Sequence, residues 1–262
     1  MNFKFKEKYD TNDLIGIVRI LRSPDGCPWD KVQTHQSIRK DFIEEVYEAV
    51  DAIDSEDSEH LREELGDVLL QVVFHSVLAE EENSFVYDDV VDDICKKMII
   101  RHPHVFGDVN ADTTEQVLKN WDTIKMKTHD QTTVAETMES VSKTMPSLMR
   151  AQKLHKKAGK CALFRSDKDR MFAQVQSVLE KLHNLPDGAD HEEKEKLIGE
   201  LLFSVSGLSS SFDVDGEQSL YNACDDFIGH FASFEACSSE EGVNIQDLSE
   251  QQASQLWENI NN

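Results

Sequence analysis

Apolar residues recur along this chain at spacings of three and four, the period of a helix with one buried face. Leu14, Ile17, Val18 and Leu21 form one such stripe, which Thr11 or Asn12 can cap. The turn-rich run Ser23-Pro24-Asp25-Gly26-Cys27-Pro28 ends that helix. A second helix, from about residue 37 to 53, aligns Ile38, Phe42, Val46, Ala49 and Ile53. A third spans about 58 to 82 and is apolar around nearly its whole circumference from Val68 onward, which predicts burial. A fourth carries Tyr87, Val90, Val91, Ile94 and Met98 and must stop before Pro103. A fifth begins after Thr113 or Thr114 and presents Val117, Leu118, Trp121 and Ile124. No segment alternates apolar and polar residues for long enough to make a convincing strand, so the expected fold is all-α.

The pattern then repeats. Glu64-Leu65-Gly66-Asp67-Val68-Leu69-Leu70 is echoed by Leu197-Ile198-Gly199-Glu200-Leu201-Leu202-Phe203, and Trp121 by Trp257, at offsets of 133 and 136 positions. Offsets near half the chain length point to tandem helical-bundle repeats. The expected organisation is an N-terminal repeat over 1–127, a polar Thr/Ser/Glu-rich linker over 128–144 and a C-terminal repeat over 145–262.

Composition narrows the function. With 27 basic and 51 acidic residues the net charge is −24, which disfavours binding to nucleic acid or to an anionic membrane. The most apolar stretch, Val68 to Ala79, is broken by Gln71 and His75 and is about half the length of a membrane span. The N-terminus, with Lys4, Lys6 and Lys8 among single apolar residues, lacks the apolar core of a signal peptide. Five scattered cysteines without C-x-x-C spacing read as reduced thiols, and the expected location is the cytoplasm.

The informative chemistry is acidic. On the second helix, with ~100° per residue, Glu45 and Glu48 fall on one side of the apolar stripe, while Glu44 points away from it and is expected to be solvated. On the third, Glu64, Asp67, Gln71 and His75 lie within roughly 80° of one another, a polar strip on an otherwise apolar rod. If the two helices form an antiparallel hairpin, four carboxylates converge. At ~5 Å and an effective dielectric of ~20 each like-charged pair costs about 3 kcal/mol. Protons or a cation must therefore neutralise them. Oxygen-only donors suit a hard ion, Mg²⁺ or Mn²⁺. Surface glutamates are common in acidic helices; the polar strip is what turns the balance toward a site.

Cations supply the complement. Arg101 and Lys97 lie near the apolar stripe of the fourth helix, Lys96 faces away, and Lys125 follows Trp121 by one turn. Arg101 needs an anion, either a structural carboxylate or a substrate phosphate. Trp29, in Cys27-Pro28-Trp29-Asp30-Lys31, either anchors its loop or stacks on a base. His102-Pro103-His104 reads as turn chemistry, His75 as a core histidine, and Glu80-Glu81-Glu82 as a solvated helix end.

Glu44-Glu45-x-x-Glu48 followed by Glu64-x-x-Asp67 resembles the signature of the MazG family of nucleoside triphosphate pyrophosphohydrolases. Gly26 to Thr34, Arg101 to Phe106 and Leu148 to Lys153 are similar to segments of its full-length, two-repeat members, so the resemblance covers nearly the whole chain. It implies an all-α homodimer that hydrolyses NTPs or dNTPs to the monophosphate and pyrophosphate with Mg²⁺. Carried over by position, Glu45, Glu48, Glu64 and Asp67 are the metal ligands and catalytic acids. Lys97 and Arg101 contact phosphates, Trp121 and Lys125 lie near the nucleotide, and Trp29 and Lys31 join them as substrate-binding candidates.

The second half departs from that pattern. The acidic motif is replaced by Ser177-Val178-x-x-Lys181 and Leu197-x-x-Glu200, the basic pair by Asp226 to His230, and the position four beyond Trp257 is Asn261. A non-catalytic second repeat, serving packing or dimerisation, is the expectation. The competing readings are a narrower pyrophosphohydrolase, of the dUTP or phosphoribosyl-ATP type, and a non-catalytic acidic dimeric interaction module.

Overall fold

The structure is a computed structural model that describes residues 3–128, 133–165, 167–240 and 242–261. Among these residues it is helical throughout, with short 3-10 turns and no strand, as the periodicity predicts. The chain forms two compact units, Met1–Ile124 and Lys125–Asn262.

In the first unit α1 (Thr11–Arg22), α2 (Arg39–Asp54), α3 (Ser58–Glu81) and α4 (Tyr87–Arg101) precede a short α5 (Pro103–Phe106) and α6 (Thr114–Thr128). Asp10, rather than Thr11 or Asn12, caps α1, exchanging hydrogen bonds with Asp13 in a capping box. The core joins Ile15 and Val18 of α1, Ile38 at the head of α2, and Val73, Phe74, Val77 and Leu78 of α3. Parts of three helices are open instead. Val46 and Ile53 of α2, Leu65 and Leu69 of α3, and Val91 and Ile94 of α4 are exposed, and no residue of α4 is fully buried. Apart from Glu64, the buried residues of α3 lie between Gln71 and Ala79, within the stretch whose apolar circumference predicts burial.

Glu80-Glu81-Glu82 is an exposed helix end, as expected, but two of its carboxylates are held by arginines of α1. Arg19 grips Glu80 with Nε and Nη2, and Arg22 grips Glu81 in the same bidentate way. The Arg22 side chain is nearly buried, stacks over Phe74 at 5.2 Å and donates to the carbonyls of Asp30 and Gln33. One guanidinium thus ties α1, the loop after it and the end of α3 together, with geometry that a lysine could not reproduce.

The second unit repeats the plan with α7 (Val134–Glu139), α8 (Ser147–Ala158), α9 (Lys168–His183), α10 (His191–Ser211), α11 (Gly216–Glu240) and α12 (Glu250–Asn261). Residues 133–144, expected to be linker, carry α7, which Thr133 and Glu136 close with a capping box. Thr137 and Val141 are buried there, so this stretch packs as part of the unit; residues 129–132 lie outside the described set. Alpha-helices α2 and α9 each have 16 residues, α1 and α8 each 12, and α3 and α10 are both capped by an aspartate, Asp57 and Asp190.

One packing exchange separates the two units. Phe74 fills the core of the first, whereas the residue 133 positions later is Gly207. A Cβ there would meet the His155 ring at 2.7 Å and the Met171 sulfur at 2.9 Å, so an imidazole occupies the space a side chain would need. That ring bonds the Phe203 carbonyl at 2.9 Å and cannot easily yield. Gly207→Ala is therefore expected to destabilise the protein by about 1–3 kcal/mol through overpacking, read as a lower urea midpoint. Phe74→Ala, which opens a cavity, is expected to cost about 3–5 kcal/mol in the same measurement.

Candidate metal and nucleotide site

The α2–α3 hairpin sets the site. Its connection is three residues long, with Glu56 in the left-handed region at φ 55°. The Asp57 N–H returns to the Ala52 carbonyl, and Asp57 then caps α3 by accepting from the N–H groups of Glu59 and His60. The four acids are symmetric about Glu56. Glu48 and Glu64 stand eight positions to either side of it, and Glu45 and Asp67 eleven. With an equal rise per residue in both helices, the hairpin brings them to matching heights.

Ligand oxygens of Glu45, Glu48 and Glu64 lie within 4.8 Å of one another. Glu64 is buried; one of its oxygens is 3.0 Å from His60 Nε2, and the other, Oε2, is buried without a hydrogen-bond partner. Asp67 adds its charge from α3 and acts on Glu45. The Glu45 carboxyl stands above the ordinary glutamate range, first because burial disfavours the ion and then because Asp67, Glu48 and Glu64 repel it. A hydrogen bond from Gln71 works the other way. An orphaned buried oxygen among converging carboxylates, with neither thiol nor imidazole in the set, fits a hard divalent cation. Glu44 points away, as expected, and faces Lys40 at 3.9 Å.

Past the acids, the polar strip of α3 ends in a histidine pair. His75 Nδ1 and His35 Nδ1 are 2.7 Å apart with stacked rings, and His35 Nε2 is 3.8 Å from Glu82. Burial, and then the facing His35, hold His75 below the ordinary histidine range.

The cationic candidates gather where α4 ends. Arg101 lies over the Trp121 ring at 5.3 Å, and His102 meets the same ring edge-on at 5.0 Å. His102 Nδ1 donates to the Met98 carbonyl, and Pro103 opens α5, so this segment is turn chemistry as predicted. Lys97 is exposed, and Lys96 pairs with Asp92. Lys125 lies on α6, but its side chain falls outside the described set. Trp29 is exposed in its loop, where its carbonyl accepts from Gln33, and Lys31 Nζ donates to the Pro24 carbonyl. Among the described residues no hydrogen bond or ion pair ties either to the carboxylates. Sequence reasoning missed His60; its i,i+4 spacing to Glu64 was a usable signal.

In the second unit, Ser177, Val178 and Lys181 of α9 and Glu200 of α10 line one cleft of about 410 Å³. The hairpin is kept while its acidic chemistry is not.

Residues 33–106, which contain α2 to α4, match the family described as the MazG nucleotide pyrophosphohydrolase domain. The chain is 35% identical over 246 residues to the nucleoside triphosphate pyrophosphohydrolase/pyrophosphatase MazG of Thermotoga maritima, covering 94% of this chain and 93% of that one. It is 34% identical over 253 residues to the nucleoside triphosphate pyrophosphohydrolase of Escherichia coli K12, covering 94% and 95%. It is also 41% identical over 242 residues to the uncharacterized protein YabN of Bacillus subtilis, of whose length it spans 49%.

The raised proton affinity of Glu45 has a testable sign. Without divalent cations the folded protein holds that proton more tightly than the unfolded chain, so this group's contribution to stability is lost as pH rises above the ordinary glutamate range. In a chelating buffer Glu45→Gln is expected to melt above wild type at pH 8, with the gap closing toward pH 4. Melting curves across that range check it.

Proposed function

Because this chain belongs to the MazG family of nucleotide pyrophosphohydrolases, we propose that it hydrolyses nucleoside triphosphates to the monophosphate and pyrophosphate, with Mg²⁺ or Mn²⁺ held by Glu45, Glu48, Glu64 and Asp67. The observation that carries the metal is the convergence of Glu45, Glu48 and Glu64, together with the buried oxygen of Glu64 that has no hydrogen-bond partner. A divalent ion there supplies charge neutralisation of the triphosphate and a water of lowered pKa. It also explains how a chain of net charge −24 accepts a polyanion.

The protein's own groups have distinct parts. Glu45, whose proton affinity is raised, takes the proton from the water that attacks the α-phosphorus, and pyrophosphate leaves. Lys97 and Arg101 balance charge on the phosphates, with Lys125 one turn beyond Trp121. Trp121 orients the Arg101 guanidinium by lying under it. Trp29 and Lys31 sit on an exposed loop suited to the nucleoside end. The second unit, with Val178, Lys181 and Leu197 where the first has acids, is non-catalytic.

The working form is a homodimer. Even two independent compact domains of half this mass would expose about 14,000 Å² by the usual area scaling, yet the chain exposes 19,004 Å². Much of the excess is apolar: Val46, Val50 and Ile53 of α2 with Leu65 and Leu69 of α3 in the first unit, and Ile198 and Leu202 of α10 with Phe227 and Ile228 of α11 in the second. A second copy covering these faces gives the buried helix stripes the partner their sequence predicts. No single helix among the described residues is long and apolar enough to cross a membrane. Five unpaired cysteines favour a reducing compartment, the cytoplasm.

Asp67→Asn and Glu64→Gln are expected to lower pyrophosphate release from an NTP panel about 10²-fold or more, and Glu200→Gln to leave it unchanged. Wild-type turnover by Asp67→Asn would remove the assignment. Mg²⁺ at a hundredfold excess over its Kd is expected to add about 2.7 kcal/mol of stability, visible as a raised Tm in wild type and absent in Asp67→Asn. Sedimentation velocity is expected to give a dimer for wild type and a smaller species for Ile53→Asp.

A further inference from the structure

We infer that His75 is a positioning residue: through an imidazole–imidazole hydrogen bond to His35 it docks on α3 the loop that carries Trp29 and Lys31, and acid undoes the dock. The inference rests on the reading of Trp29 and Lys31 as contacts for the nucleoside end of the substrate. The loop, residues 23–38, is stitched internally. Gln33 donates from its side chain to the Trp29 carbonyl and from its backbone N–H to the Asp30 carbonyl, and its side-chain oxygen accepts from the Ser37 hydroxyl at 2.6 Å. Thr34 and Ser37 exchange bonds on either side of His35. A shift of His35 is therefore passed to the turn that carries Trp29 and Lys31. Among the described residues two side chains hydrogen-bond to this loop from outside, Arg22 to the Asp30 and Gln33 carbonyls and His75 to His35.

The pair makes a single hydrogen bond whose existence depends on protons. The ring planes are parallel to within 4°, the centroids are 5.0 Å apart and the two Nδ1 atoms 2.7 Å apart, so the nitrogens point at each other. Two imidazole nitrogens bond only when one carries a hydrogen and the other a lone pair. With both rings protonated neither Nδ1 accepts, and two positive charges face each other. Around the pair, α2 presents the Phe42 ring to His75 at 5.5 Å, α1 brings Arg22, already held by Glu81, and Glu82 at the end of α3 faces His35 Nε2 at 3.8 Å. From α4, Tyr87 packs on the core that contains Phe74. Burial and then His35 act on His75 and disfavour its charged form. The unfolded chain thus takes up that proton first as pH falls, so this group's contribution to stability is full above the ordinary histidine range and is lost below it.

The second unit provides an internal comparison. Its segment between α8 and α9 runs over 159–167, against 23–38 between α1 and α2. In the register that matches the caps Asp57 and Asp190, the residue 133 positions beyond His75 is Leu208. Both are half-buried. The position thus accepts an apolar side chain in this packing, and filling the core does not call for an imidazole. The histidine goes with the longer loop, in the unit that keeps the acids.

The test uses the full chain as wild type, His75→Leu, His75→Asn, His35→Ala and the double variant Trp29→Ala, Lys31→Ala. Amide hydrogen exchange of residues 27–38 is read by mass spectrometry, with melting temperature and with kcat and KM for one NTP, between pH 5 and 8. His75→Leu removes the bond and installs the residue of the second unit. At pH 7.5 it is expected to melt close to wild type, lose about tenfold of the protection over 27–38 and raise KM about fivefold with kcat nearly unchanged. His75→Asn sets an amide N–H in the place of Nδ1 and does not titrate, so it is expected to keep protection and KM near wild type. From pH 7.5 to 5, protection corrected for intrinsic exchange is expected to fall in wild type and stay level in His75→Asn. Wild-type protection and KM in His75→Leu would overturn the dock. Protection lost with KM unchanged, while the double variant raises KM, would overturn the positioning role and leave the loop's nucleotide contact standing. Wild-type KM in the double variant would sink that contact, and the positioning role with it. Should His75→Leu fail to fold, wild-type protection in His35→Ala is the overturning result.

Discussion

Glu64 carries the constraint on which the first unit depends. It is a buried carboxylate with one oxygen bound to His60, the other unpartnered, and further acids close by. Each like-charged pair at such separations costs about 3 kcal/mol at an effective dielectric of ~20, against a folding stability of about 5–15 kcal/mol for a typical protein. A cluster of this kind persists when something of opposite charge occupies it. His60, 3.0 Å from Glu64, offsets only part of that charge.

Around that cluster the fold supplies rigidity at its far end. Arg22 is held by Glu81, by two backbone carbonyls and by the Phe74 ring, which fixes α1 and the following loop against the end of α3. The N-terminal half of α3, which bears the acids, is then presented from a well-packed base. The second unit keeps an aspartate cap on the second helix of the hairpin and a cleft between α9 and α10, while of the four acids it keeps Glu200 alone at a matching position. Packing and chemistry have diverged separately: Phe74 against Gly207 with His155 is a volume exchange, and Glu45 against Val178 is a loss of charge.

Much of the fold was legible because a helix is a local structure. The existence and order of the helices followed from apolar spacing, as did the placing of Glu44 away from the site and of Glu45 beside it. The misreadings share one cause, which is that a side chain's partner lies elsewhere in the chain. Glu80 and Glu81 have no visible partner until α1 delivers two arginines, and residues 133–144 look like linker until α7 buries Thr137. Val46, Ile53 and Ile94 look like core residues, but no element of their own unit covers them.

The sequence by itself determined that the protein is helical and which side chains share a face of each helix, because those properties depend on the ~100° turn per residue and on nothing further away. Tertiary structure decided the rest. A left-handed Glu56 and a three-residue turn set the register that brings Glu48 level with Glu64 and Glu45 level with Asp67. A one-residue change in that turn would rotate α3 relative to α2 and separate the acids. The same register buries Oε2 of Glu64 without a hydrogen-bond partner, which depends on distances through space that no spacing along the chain specifies.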